Sequence, residues 1–129
     1  MSIVGIGLDL VKIARVKALA ERWHNRFLQR VYTPDERRAS FDRPSPYAAL
    51  AGRFAAKEAV MKALGTGWAD GVSWQDIQVL NERGGRPVAT VRGRTAVLVR
   101  QAGVTRIHVS LSHDGDYAIA EVILTNDTL

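Results

Sequence analysis

The sequence contains no cysteine, which excludes disulfide bonds and thiolate metal sites. Its three histidines lie far apart along the chain, so the pattern does not favour a zinc site either. No stretch approaches the ~20 consecutive apolar residues that a membrane helix requires. The apolar N-terminus is short, lacks a leading basic segment and contains Asp9, which is typical of a first β-strand and not of a signal peptide. These absences predict a cytoplasmic protein that does not enter a membrane.

The charge of the chain is concentrated in one segment. Residues 12–43 hold nine basic and four acidic side chains, a balance of +5 that equals the net charge of the whole chain. A basic segment attached to a neutral body favours an acidic partner, such as nucleic acid, an anionic membrane surface or an acidic protein. A solvated helix face would produce the same pattern. The chain shows no repeat, low-complexity tract or linker, so we predict one domain over residues 1–129.

The order of predicted elements indicates an α+β fold with a mainly antiparallel sheet packed against a long buried helix and shorter helices. Strands and helices come in blocks instead of strict alternation. The predicted elements are a strand over 2–10, a helix over 11–30, a helix starting at the Thr33 cap, a long helix from Ser45-Pro46 to Gly65 and Gly67, a strand pair over 76–80 and 87–91, a helix over 94–102, and a hairpin over 107–113 and 117–124.

The long helix contains the segment FAAKEAVMKALG, residues 54–65, which is apolar nearly all round and should be buried. It nevertheless carries Lys57, Glu58 and Lys62. On a helical wheel Glu58 and Lys62 share one stripe, with small residues beside Glu58. They could form a simple i,i+4 ion pair worth ~0.3–0.5 kcal/mol. Alternatively, the helix is built around a charged ligand.

Two further stretches could carry chemistry. Gly5-x-Gly7-x-Asp9 places two glycines and a carboxylate on one strand face, where a ligand or a tightly packed helix could come close. It lacks the third glycine of a dinucleotide fingerprint, which argues against a Rossmann site. Ser112 and His113 end a strand, and a histidine there is often only a turn residue. The absence of a G-x-S-x-G elbow argues against a Ser–His–Asp triad.

Taken together, these stretches suit one kind of ligand. Magnesium prefers one or two carboxylates completed by substrate phosphate oxygens and water. A lysine one turn from a carboxylate can act as a point charge against a phosphoryl oxygen. We therefore interpret Asp9, Glu58 and Lys62, with Arg53, Lys57 and His113 near them, as a site for a magnesium-bound phosphate ester.

Three motifs, in this order along the chain, resemble the signature regions of the holo-acyl-carrier-protein synthases, the small bacterial-type 4′-phosphopantetheinyl transferases. They are G-I-G-L-D (5–9), F-A-A-K-E-A-x-x-K-A-x-G (54–65) and S-H-D-x-x-x-A-x-A (112–120). The stretches V-S-W-Q-D-I-Q-V (72–79) and G-G-R-P (84–87) are also similar to that family. The resemblance runs from Ile3 to about Ile123.

The resemblance implies transfer of the 4′-phosphopantetheine arm of coenzyme A to a serine of apo-acyl carrier protein, with release of adenosine 3′,5′-bisphosphate, in support of fatty acid biosynthesis. Asp9 and Glu58 would hold Mg²⁺ together with the coenzyme A pyrophosphate. Lys62 would lie against the reacting phosphate and help either to deprotonate the serine or to neutralise the leaving oxygen. The residues it implies for coenzyme binding are Arg53, Lys57, Lys62, Gly65, Ser112 and His113. The docking arginines for the acidic carrier protein would be Arg15, Arg22 and Arg26.

The resemblance also implies a homotrimer with active sites between subunits, in which Asp9, Glu58 and His113 do not all come from one chain. The competing interpretation of the basic segment is a small nucleic-acid-binding domain. Against it, the segment has few aromatic residues for base stacking and no recognisable reader motif. We therefore expect no nucleic acid partner.

Overall fold

The structure, a computed structural model, describes residues 1–23, 25–66 and 71–127. Its elements are β1 Ser2–Lys12, α1 Ile13–Trp23, α2 Asn25–Val31, α3 Pro34–Phe41, α4 Pro46–Leu64, β2 Ile77–Asn81, β3 Pro87–Val91, α5 Gly93–Gln101, β4 Arg106–Asp114 and β5 Tyr117–Asn126. A short 3₁₀ turn, Trp74–Asp76, precedes β2. None of the helices within these described ranges combines the length and the hydropathy needed to cross a membrane.

The strands form two antiparallel sheets, in agreement with the predicted α+β class. One sheet has the order β1-β5-β4, and the other is the β2–β3 hairpin. The predicted helix over 11–30 is wrong at its start, because β1 continues to Lys12, which pairs with Tyr117. The remaining stretch forms two helices, α1 and α2. Gly67, predicted to help end the long helix, lies outside the described residues.

The helix starts follow the capping signals only in part. Thr33 caps α3 as predicted: its side chain accepts from the Glu36 backbone, and the Glu36 side chain accepts from the Thr33 backbone. The long helix α4 begins after Ser45, as predicted, but the Ser45 side chain makes no capping hydrogen bond. Its backbone, at φ −120° and ψ 78°, is not in the extended conformation of Thr33. Gly65 ends α4 in the left-handed conformation, as predicted.

The glycines of β1 bring the backbone of α4 onto the sheet. A Cβ added to Gly5 would lie 2.0 Å from the Ala63 carbonyl oxygen, and one added to Gly7 would lie 1.9 Å from that of Ala59. Of the two explanations for this strand face, the packed helix is therefore correct for both glycines. At the other end of α4, a Cβ on Gly52 would lie 3.9 Å from Leu111 on β4. Helix α4 thus crosses the sheet from its β4 edge to its β1 edge.

A buried ion pair joins α4 to α3. The Lys57 ammonium lies 2.7 Å from Glu36 Oε1, and neither side chain has accessible surface. It also donates to the carbonyls of Val31, Trp74 and Ile77. Burial lowers the pKa of Lys57, and the Glu36 carboxylate opposes that shift. The lysine thereby satisfies carbonyls that the core would otherwise leave unpaired.

The other face of β1 is apolar and exposed. The exposed fractions of Ile3, Ile6, Leu8 and Leu10 are 58%, 61%, 53% and 59%. β1 is also an edge strand of its sheet. An exposed apolar stripe on an edge strand is the kind of surface that proteins cover by association.

Candidate active site

Asp9 and Lys62 meet where α4 reaches the β1 edge. Asp9 is on the strand face that carries Gly5 and Gly7, so its side chain points towards the helix. The Lys62 Nζ atom lies 3.0 Å from Asp9 Oδ1 and 2.9 Å from the Leu8 carbonyl oxygen. The Asp9 side chain is 16% exposed and that of Lys62 is 53% exposed. A reactive group arriving from solvent could therefore contact both side chains.

Glu58 belongs to the same cluster, one helical turn before Lys62. Burial raises the pKa of its carboxyl, and the Asp9 charge raises that pKa further. Lys62 and Arg15 oppose the shift because both are cations. The salt bridge of Lys62 is with Asp9 and not the i,i+4 pair with Glu58 that the wheel allowed. The structure therefore brings Asp9, Glu58 and Lys62 together, as the motifs predicted.

The donor set of this cluster fits a hard divalent cation. After burial, the charge of Asp9 is the next cause of the raised pKa of Glu58, because two carboxylates repel each other across the cluster. An ammonium group lies against one of them and neutralises part of the charge. No group of three or more His, Asp or Glu side chains suited to a metal occurs in the described ranges. Two carboxylates leave most positions of a Mg²⁺ ion to phosphate oxygens and water, which is the coordination that this ion prefers.

A cavity of about 310 Å³ opens at the opposite edge of the sheet, between the start of α4 and the end of β4. Its wall combines cations, small residues and polar groups. The lining residues are Arg43, Pro44, Ser45, Ala48, Ala49, Gly52, Arg53, Asn81, Leu111, Ser112 and His113. The predicted coenzyme residues Arg53, Ser112 and His113 thus share one cavity.

Arg53 is the buried cation of this cavity, with 3% of the residue exposed. Its Nε donates to the Val79 carbonyl at 2.9 Å, and its Nη2 donates to Asn81 Oδ1 at 3.0 Å. Among the described residues, no carboxylate lies within 4.0 Å of its guanidinium. Burial lowers the pKa of Arg53, Glu36 raises it and Arg43 lowers it further. A buried cation without a carboxylate at contact distance is stabilised by an anionic ligand.

The cluster and the cavity lie towards opposite ends of α4 and at opposite edges of the sheet. Arg53 and Lys62 are nine residues apart, which on a regular helix is about 180° of rotation and about 13 Å of rise. Across the sheet, Asp9 pairs with Ala120, which pairs with Leu111 in the cavity wall. Two strand spacings separate Asp9 from Leu111, or roughly 10 Å. One chain therefore presents two separate charged regions, one towards each end of its long helix.

The remaining predicted residues are spread over other surfaces. Arg15 and Arg22 are exposed on α1, and Arg26 is exposed on α2. The Arg22 guanidinium lies 5.1 Å from the Trp23 ring centroid. Gly65 is exposed at the end of α4, beyond Lys62. Lys57 faces away from both regions, into the buried network with Glu36.

Two cavity residues that the sequence did not assign to a site are Arg43 and Asn81. Arg43 stands in the α3–α4 connection, which offers no periodic pattern to assign it to a site. Asn81 ends β2 and becomes a cavity residue only because the β2–β3 hairpin packs beside β4. The sequence predicted the strand pair over 76–80 and 87–91, but not where that pair would lie. Both residues could therefore be assigned to the cavity only from the tertiary structure.

Comparison with known proteins identifies the family of the chain. A family model described as the 4′-phosphopantetheinyl transferase superfamily matches residues 5–122. The chain is similar to the holo-[acyl-carrier-protein] synthase of Koribacter versatilis, at 44% identity over 122 residues that cover 95% of this chain and 98% of that protein. It is also similar to that of Desulforudis audaxviator, at 46% identity with 94% and 92% covered.

Solved structures have the same fold. The holo-[acyl-carrier-protein] synthase from Neisseria meningitidis matches with a TM-score of 0.88 at 32% identity, covering 96% of this chain and 99% of that one. The Helicobacter pylori holo-[acyl-carrier-protein] synthase, solved in complex with coenzyme A, matches with a TM-score of 0.82 at 32% identity, covering 93% and 99%. The predicted fold class and the resemblance seen in the motifs are thereby confirmed.

Proposed function

The chain belongs to the 4′-phosphopantetheinyl transferase superfamily, and we propose that it is a Mg²⁺-dependent enzyme that transfers 4′-phosphopantetheine from coenzyme A to a serine of apo-acyl carrier protein. The observation that carries the proposal is the cluster of Asp9, Glu58 and Lys62. The reaction would supply holo-acyl carrier protein to fatty acid biosynthesis, with the enzyme in the cytoplasm. The basic nucleic-acid-binding alternative leaves this cluster without a role.

In the proposed reaction the serine oxygen attacks the phosphorus that carries the pantetheine arm. The bond from that phosphorus to the bridging oxygen breaks, and adenosine 3′,5′-bisphosphate leaves with the bridging oxygen. Glu58 takes the serine proton, directly or through one water. Lys62 contacts the reacting phosphoryl group and neutralises charge that develops there.

Asp9 and Glu58 would hold the Mg²⁺ ion. When bound, the ion supplies polarisation of the phosphoryl oxygens and orientation of the pyrophosphate. The chain's own contribution is to hold two carboxylates together, at a cost that the raised pKa of Glu58 reflects. The hydrogen bond that Lys62 Nζ donates to the Leu8 carbonyl keeps the ammonium at that edge of the sheet.

The cavity at the start of α4 would take the 3′-phosphoadenosine end of coenzyme A. Arg53 supplies a buried cation and Arg43 an exposed one, while Ser112 and His113 complete the wall. Arginine suits this role because its planar fork matches phosphate oxygens. Lys57 is left out of the coenzyme site, since its ammonium is already surrounded by four protein acceptors.

A homotrimer would bring the charged cluster of one subunit next to the cavity of another. In one chain the cluster and the cavity lie at opposite edges of the sheet, whereas the cluster of one subunit can face the cavity of the next. The exposed apolar stripe Ile3, Ile6, Leu8 and Leu10 supplies the association surface, and it lies on the same strand as Asp9. Closed rotational symmetry then builds one complete site at each interface.

The acidic acceptor would dock on the basic surface of α1 and α2. Arg15, Arg22 and Arg26 are exposed there. Arg15 is close enough to Glu58 to influence its pKa. A carrier protein held by these cations would present its serine near the base, and the complementary charge would speed its association.

A mass-spectrometric assay tests the proposal. Purified protein, coenzyme A, Mg²⁺ and an apo-acyl carrier protein should yield a carrier protein heavier by about 340 Da, the mass of the transferred group in a phosphoryl transfer. Omitting coenzyme A or adding excess chelator should abolish the gain. No gain on several bacterial apo-carrier proteins, together with tight binding of an oligonucleotide, would replace the proposal with the nucleic-acid alternative.

A further inference from the structure

Asn81 makes two hydrogen bonds that point in different directions from one amide. Its Nδ2 donates to the Gly85 carbonyl at 2.8 Å, and its Oδ1 accepts from Arg53 Nη2 at 3.0 Å. The guanidinium can only donate and the carbonyl can only accept, so the two bonds fix the orientation of the amide. Asn81 therefore ties Arg53 to the tip of the β2–β3 hairpin while lining the cavity itself.

The bonds of Arg53 leave part of its fork free for a ligand. The guanidinium carries five N–H groups. One goes to Val79, one to Asn81 and one, at 3.5 Å, to Ala49. Because Arg53 is 3% exposed, its side chain has no room to change conformation and reach an anion elsewhere. These acceptors therefore set the orientation of the guanidinium. Val79 and Ala49 accept through their backbone carbonyls, whereas Asn81 accepts through its side chain. A substitution can therefore remove the Asn81 acceptor while the other two stay in place.

The hairpin tip is itself held in place. The Gly85 amide donates to the Glu82 carbonyl and the Glu82 amide donates to the Arg86 carbonyl, both at 2.8 Å. Gly85 has φ of 96°, a conformation that favours glycine. The position of the Gly85 carbonyl, which accepts from Asn81 Nδ2, is thus restricted by the hairpin. Asn81 in turn restricts the orientation of the Arg53 guanidinium.

On the basis of the proposed function, we propose that Asn81 is a positioning residue for coenzyme A: it aims Arg53 at the 3′-phosphate and thereby sets the preference of the cavity for 3′-phosphorylated nucleotides. An asparagine suits this task because it accepts a hydrogen bond without bringing negative charge. An aspartate in its place would still accept from Arg53, but it would pair with the cation and repel the phosphate.

The test compares two probes, adenosine 3′,5′-bisphosphate and adenosine 5′-monophosphate, by isothermal titration calorimetry. The wild type should prefer the bisphosphate. Asn81→Ala should reduce that preference by about tenfold, the usual scale for a hydrogen bond to a charged group. Asn81→Asp should reduce it further although the residue keeps its size. In steady-state assays both variants should raise KM for coenzyme A and leave kcat and KM for the carrier protein unchanged.

Gly84→Ala is the matched control. A Cβ at Gly84 meets nothing within 4 Å and its φ is not in the left-handed region, so the substitution changes the hairpin tip but neither bond of Asn81. Its preference should equal that of the wild type. If Asn81→Ala lowers Tm but keeps the preference, or if Asn81→Asp binds the bisphosphate as well as the wild type does, the positioning role is wrong. A wild type that transfers the arm without preferring the bisphosphate would overturn this inference and leave the proposed function standing.

Discussion

The side chains of Asp9 and Lys62 meet at 3.0 Å although 53 residues separate them in the sequence. The contact exists because Gly5 and Gly7 let α4 lie directly on β1. A side chain at either glycine would lift the helix away from the strand. The glycine strip and the charged cluster are therefore parts of one arrangement, in which close packing of the backbone brings the charged groups together.

Removing either carboxylate should abolish transfer while the protein stays folded. Asp9→Asn and Glu58→Gln are nearly isosteric, and each should lower kcat at least ~100-fold because a base or a metal ligand is lost. The measurement is the transfer rate to apo-carrier protein, with a thermal melt to check folding. Glu21→Gln, the same change at an exposed position of α1, should keep wild-type activity. Near-normal rates in either site variant would remove that residue from the mechanism.

Glu58→Gln should also make the free protein more stable at neutral pH. Burial and Asp9 raise the folded-state pKa of Glu58 above its unfolded value, so the native state holds this proton more tightly than the unfolded chain does. The free energy of unfolding therefore falls as the pH rises from the pKa of Glu58 in the unfolded chain to its higher pKa in the folded protein. The variant should have the higher Tm at neutral pH, and the difference should shrink below about pH 4. Equal Tm values at neutral pH would contradict the conclusion that the ionised Glu58 carboxylate destabilises the folded protein.

The buried pair of Lys57 and Glu36 should matter for stability more than for chemistry. Lys57→Met leaves the Glu36 carboxylate buried without its cation, which should cost ~3–5 kcal/mol in the free energy of unfolding. Denaturant unfolding measures this loss. Combining Lys57→Met with Glu36→Gln should recover part of it. Lys17→Met, at a lysine that is 55% exposed, should change stability by no more than ~0.5 kcal/mol. A loss of less than ~1 kcal/mol in Lys57→Met would mean that the pair contributes little to holding α4 against α3.

Charge reversal on α1 should separate acceptor docking from coenzyme binding. Arg22→Glu should raise KM for the carrier protein by roughly tenfold or more and leave the affinity for coenzyme A unchanged, since Arg22 is exposed and outside both charged regions. Arg100→Glu, on the distant helix α5, should have no effect on either. Arg15→Glu should have a second consequence, because Arg15 lowers the pKa of Glu58: the acid limb of the rate profile should move to higher pH. Equal weakening of coenzyme binding in Arg22→Glu would contradict this division of the surface.

The sequence motifs identified the cluster but not the arrangement around it. Asp9, Glu58 and Lys62 could be predicted because their short motifs are unusual for a strand and a buried helix. Lys57 could not be placed, because a helical wheel shows the direction of a side chain but not the Glu36 carboxylate that α3 brings to it. Asn81 could not be found, because its importance depends on Arg53, which is 28 residues away in the sequence. Long-range contacts of single polar side chains leave no periodic pattern to read.

Subunit complementation tests the central claim, that the Asp9–Glu58–Lys62 cluster of one chain works with the cavity of another. One inactive variant carries Glu58→Gln, and the other carries Arg43→Glu with His113→Ala, two exposed cavity residues. Co-expression should restore about a quarter of the wild-type rate, since about three quarters of randomly mixed trimers contain one site without substitutions. Activity no greater than that of the two variants measured separately, in mixed oligomers verified by native mass spectrometry, would contradict a site shared between subunits.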